Sequence, residues 1–146
     1  MAPRSNPNNR TSVIGFLIKL GNGLILWKVC KQGMVALSST EAEYVALSSA
    51  VSEALWIKGI LKDLGVMIER VVAYEDNQST IALCKNSQNI KQTKHVDVKV
   101  RFVNDYIEKG EVEVRHIKSE EQTADVLTKA LPRNSFIKHR NNLNIK

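Results

Sequence analysis

Aromatic residues make up only 5% of this 146-residue chain, so any core must rest on aliphatic packing. Cysteine is nearly absent: Cys30 and Cys84 stand alone in apolar contexts, without a C-x-x-C spacing. His95, His116 and His139 lie too far apart for a local zinc knuckle. A disulfide framework is excluded too, and buried free thiols are expected. The opening "MAPRSNPNNRTS" holds neither an apolar run nor an acid, so no secretory signal is visible. No uninterrupted run reaches the ~18 apolar residues of a membrane span. The expectation is an intracellular protein, cytoplasmic or nuclear, without a membrane partner.

What is present is enough for one globular domain: 43% hydrophobic residues and no low-complexity linker or repeat. The net charge of +6 suits a polyanionic partner, foremost a nucleic acid, although a basic surface also serves solubility. "SVIGFLIKL" and "GLILWKVC", joined by "GNG", read as a β-hairpin. "GMVALS" extends the second strand or adds a short one. A long helix is expected from Glu41 to Leu64, ended by Gly65. "RVVAYE" reads as a buried strand, "NQSTIALCKN" as a short helix, and "TKHVDVKVRFVNDYIEKGE" as a helix with Val96, Val100, Val103 and Ile107 on one stripe. "EVEVRHI" alternates like a strand, with His116 packed in it. "SEEQTADVLTKAL" reads as a helix stopped by Pro132, and a basic helical tail closes the chain. The division is a polar tail over 1–11, an α/β domain over 12–132 and a basic tail over 133–146.

Three acids merit weighing. At roughly 100° per residue, Glu43 shares a stripe with Ala46, Leu47, Ala50, Ala54, Ile57 and Leu61. Glu41 falls opposite, with Ser48, Ser52, Gly59 and Asp63. Glu43 thus heads the buried stripe, where it either closes a capping box with Thr40 or pairs with a cation. Asp76 sits where a strand ends and a helix begins, a place for an N-cap and equally for ligand binding in open α/β sheets. Asp125 is spaced to pair with Lys129. Taken together, carboxylates converging from separate elements could hold two Mg²⁺ or Mn²⁺ ions for phosphodiester hydrolysis.

Four ordered blocks, "SSTEAEYVAL", "YEDNQSTIAL", "TKHVDVKVRFV" and "EQTADVLTKALP", resemble the ribonuclease H domain of Ty1/copia-type retrotransposon Pol polyproteins. The likeness runs over about residues 9–144. It implies a ribonuclease H-like mixed sheet flanked by helices, and two-metal cleavage of the RNA strand of an RNA–DNA hybrid. By motif it assigns Glu43, Asp76 and Asp125 as catalytic and metal-binding, and Thr40 and Gln78 as lining the substrate groove. It also implies an upstream reverse transcriptase in the same polyprotein and no small-molecule cofactor. The departure is at the start. The family's first strand, central in its sheet and bearing the first catalytic aspartate, has no counterpart in residues 1–12. Exposed strand edges are expected unless the hairpin pairs directly with "RVVAYE", and an impaired nuclease is expected. The alternatives are a non-catalytic nucleic-acid-binding remnant and a purely structural domain.

Overall fold

A computed structural model describes residues 13–31, 39–85 and 94–145. Strands β1 (Val13–Leu20) and β2 (Gly23–Lys31) pair antiparallel, turned by Gly21 and Asn22. Gly21 takes φ +58°, a conformation that costs glycine nothing. The stretch "GMVALS" lies outside the described residues. Helix α1 (Ser39–Asp63) follows, and Gly65 at φ +83° ends it as expected. Strand β3 (Val71–Glu75), helix α2 (Gln78–Lys85), helix α3 (Lys94–Glu108) and strand β4 (Val112–His116) come next, with β3 and β4 paired in parallel. Two 3-10 turns, Ser119–Glu121 and Thr123–Leu127, lead to helix α4 (Arg133–Asn142).

The core is aliphatic, as the lack of aromatics requires. Tyr44, Leu47 and Val51 of α1 meet Leu83 and Cys84 of α2, Val96, Val100 and Val103 of α3, and Val112 of β4. Ile107 packs against this cluster, so the stripe expected on α3 is the one buried. Tyr44 is fully buried; its hydroxyl donates to the Val100 carbonyl oxygen at 3.4 Å. Cys84 is a buried free thiol, whereas Cys30 is free but only half-buried.

The architecture is mixed α/β, with an unexpected division. Among the described residues β1 pairs with β2 alone and β3 with β4 alone, giving two small sheets instead of one. The hairpin does not join "RVVAYE". Helix α1 packs against β1, β3 and α3 at once, so it bridges the gap between the sheets.

Several expectations are corrected. "SEEQTADVLTKAL" is two 3-10 turns because Gln122 between them is extended, at φ −70° and ψ 96°. The Gln122 amide donates to the Tyr74 carbonyl and Ser119 to Asp76, tying this strap across the end of β3 and away from a regular helix. Ser48, placed on the outer face, is buried beside Leu47 and Val51 because α1 packs on α3 as well as on the sheets. His116 is exposed at the end of β4. Helix α4 docks on the body: His139 is 2% exposed with Nδ1 3.3 Å from the Thr123 hydroxyl, and Lys19 donates to the Asn142 carbonyl. By length and composition α1 would suffice to span a membrane, although no single run of the sequence suggested it; here one face of it forms the core.

Candidate functional site

Between β1 and β3 lies a cavity of about 870 Å³. Its floor is the α1 stripe of Glu43, Ala46, Leu47, Ala50, Ala54, Ile57 and Leu61, the same residues that helical periodicity grouped. The grouping holds but the burial does not. Glu43 is an exposed residue at the mouth of an open cleft, because no strand covers that part of α1.

Asp76 and Asp125 line the same cavity. Asp76 follows β3 directly, and N-capping of α2 falls to its neighbour. Asn77 Oδ1 accepts from the Ser79 and Thr80 backbone N–H groups at 2.9 and 3.2 Å. That leaves the Asp76 carboxylate to face the cleft, where it accepts from the Ser119 hydroxyl at 2.7 Å. Asp125 sits in the second 3-10 turn and pairs with Lys129 at 2.9 Å, as its spacing suggested, but toward the cavity and not on a solvated face. Gly15 of β1 explains how that turn comes so close. A Cβ there would stand 2.7 Å from Thr128 Cγ2 and 3.1 Å from Leu127 Cβ.

The three acids feel one another. Desolvation within the cleft, then the charges of Asp76 and Asp125, raise the Glu43 pKa, while Lys129 opposes them. Lys129 in turn is raised by its bond to Asp125 and by the charges of Asp125, Asp76 and Glu43. It is a tethered cation in an acidic cluster, and sequence reading had seen it only as a surface partner. Glu75 was missed altogether. Its residue is 6% exposed. Burial pushes its carboxyl up to about 7, helped by Glu43 and Asp76 and opposed by the Asn77 N–H bonded at 3.0 Å. Strand alternation places it on the face opposite Asp76, a signal easily passed over beside a motif acid.

Thr40 lies within the first turn of α1 and Gln78 opens α2; neither lines the cavity, and Gln78 is exposed. Because α1 begins at Ser39, Thr40 is inside the helix and is not its cap. Hard carboxylate oxygens suit Mg²⁺ or Mn²⁺. Among the described residues no three acidic, histidine or cysteine side chains converge tightly enough to cage an ion. Magnesium seldom needs such a cage: it commonly takes one or two carboxylates and completes its shell with water and substrate phosphate oxygens. The donor chemistry of Glu43, Asp76 and Asp125 fits that mode.

No protein-family model matches the chain, and no solved structure does. Curated proteins do match. The retrovirus-related Pol polyprotein from transposon TNT 1-94 of Nicotiana tabacum is 40% identical over 129 residues, covering 88% of this chain and 10% of that protein. Those from transposons RE1 and RE2 of Arabidopsis thaliana are each 36% identical over 126 residues, covering 86% of this chain and 9% of theirs. The chain therefore spans about a tenth of the length of these relatives. Over most of its own length it is homologous to a segment of the Pol polyproteins of Ty1/copia-type retrotransposons.

Proposed function

We propose that this segment is a ribonuclease H-type domain, hydrolysing the RNA strand of RNA–DNA hybrids inside the cell as part of a Pol-type polyprotein that also carries reverse transcriptase. One observation carries the reading: Glu43, Asp76 and Asp125, drawn from a helix start, a strand end and a 3-10 turn, line one cavity and couple electrostatically. When bound, Mg²⁺ would polarise the scissile phosphodiester and favour a hydroxide nucleophile. The chain's own groups do the rest. Its net charge of +6 draws the polyanion in. Thr40 and Gln78, on the first turns of two helices near the acids, are placed to touch the strands. Ser119 fixes the Asp76 carboxylate, and Lys129 holds Asp125 until a cation replaces it.

Hydrolysis by this chain alone is expected to be weak, because residues 1–12 supply no acid to match the family's first aspartate. The openness of the acid cluster favours a second reading, a non-catalytic binder of hybrids. The test is incubation of the purified chain with labelled RNA–DNA hybrid in Mg²⁺ and in Mn²⁺, beside Glu43→Gln and Asp76→Asn. Weak cleavage abolished by both substitutions supports the nuclease. Salt-dependent binding without cleavage supports the binder. Cleavage unaffected by either substitution refutes the assignment of these acids.

A further inference from the structure

We propose that the cavity between β1 and β3 is a docking slot for one extended segment of a separate polypeptide, added as a β-strand that joins the two sheets. The proposal rests on the sheet edges and not on the nuclease reading. In β3, Val71 N–H donates to the Glu111 carbonyl and the Glu75 carbonyl accepts from Ile117 N–H. In a parallel ladder the residues between those that address β4 turn their backbone groups the other way. The N–H and C=O groups of Val72 and Tyr74 therefore face the slot. The Tyr74 carbonyl is met there by the Gln122 side chain, at 3.3 Å. Across the slot stands β1, whose strand neighbour among the described residues is β2 alone. A ligand flanked by two such edges must carry donors and acceptors on both sides, which is what a peptide backbone offers.

The slot also sets side-chain requirements. Ala46, Ala50 and Ala54 form a shallow floor that leaves room for larger apolar groups at alternate positions of the guest. Gly15 of β1 lies against the strap that holds Asp125, and Asp76 ends β3, so β1 and β3 run in opposite directions and the acids gather at one end. Lys58 and Arg70 line the other end. Charge complementarity thus selects a guest that is basic where it reaches Glu43, Asp76 and Asp125, and acidic at its far end. A guest of about six residues matches the length of β3 and β1.

The probe is Ac-Glu-Val-Thr-Val-Thr-Val-Lys-NH₂, together with its charge-reversed order, titrated into the full chain without divalent ions while amide exchange is followed. The expected result is saturable binding by one of the two peptides with new protection at the Val72 and Tyr74 amides. Methylating three alternate backbone nitrogens of that peptide should weaken binding about tenfold or more, through lost hydrogen bonds. Ala50→Leu should weaken it as well. Should that variant misfold by circular dichroism, the methylated peptide still decides the matter. Three results would overturn the proposal: equal binding of the methylated peptide, no new protection at Val72 and Tyr74, or full protection of both amides in the free chain.

Discussion

Glu75→Gln isolates the energetic consequence of a carboxyl buried beside the acid cluster. Burial holds the Glu75 pKa at about 7, against an ordinary value of 4.5. Its stabilising contribution is greatest where the group is protonated in both the folded and unfolded chains, below about pH 4.5. As pH rises toward 7 the unfolded chain ionises first, and stability is lost through that window. Above about pH 8 the loss levels off, because both states are then ionised. A difference of about 2.5 units corresponds to roughly 3 kcal/mol. That is a large share of the ~5–15 kcal/mol by which a domain is usually stable. Glutamine keeps an oxygen to accept from the Asn77 N–H, so the variant should match the wild type at pH 4 and exceed it by up to roughly 3 kcal/mol at pH 8. Urea unfolding from pH 4 to 8, with the denaturant dependence checked for constancy, measures the difference. Parallel stability profiles for the two proteins would show that Glu75 is as well solvated as a surface acid, and the reasoning would fail.

Gly15→Ala should cost about 1–3 kcal/mol, because the added methyl meets Thr128 at 2.7 Å and must push the strap away. Thermal melts would give the cost, and amide shifts at Asp125 and Lys129 would report the displaced site. Lys129→Met should raise the Glu43 pKa further and let Mg²⁺ bind several-fold tighter at low salt, since the resident cation is gone; calorimetric titration with Mg²⁺ reads this, and unchanged affinity would argue against a shared cluster. Val103→Ala, at a fully buried position in the α3 stripe, should destabilise by roughly 2 kcal/mol in urea unfolding without disturbing the acids.

Local rules suffice for much of this protein. The hairpin follows from "GNG" between two β-rich runs, α1 from its periodicity and Gly65, and α3 from the stripe of Val96, Val100, Val103 and Ile107. Each depends on backbone conformation and on the spacing of apolar residues within one element, so the sequence by itself determined them. The same is true of the grouping of Glu43 with Ala46, Ala50 and Ala54, and of the choice of Asp76 and Asp125 as companions. Tertiary structure decided what those groups face. Helical periodicity specifies a stripe but not its partner. Here the Glu43 stripe meets an open slot, while Ser48 is buried because α1 also packs on α3. The strap after β4 has the spacing of a helix, yet side-chain bonds from Ser119 and Gln122 to the end of β3 outweigh one regular turn. Lys129 and Glu75 gained their roles in the same way. A charge is defined by the residues that fold places around it, and those lie tens of positions away along the chain.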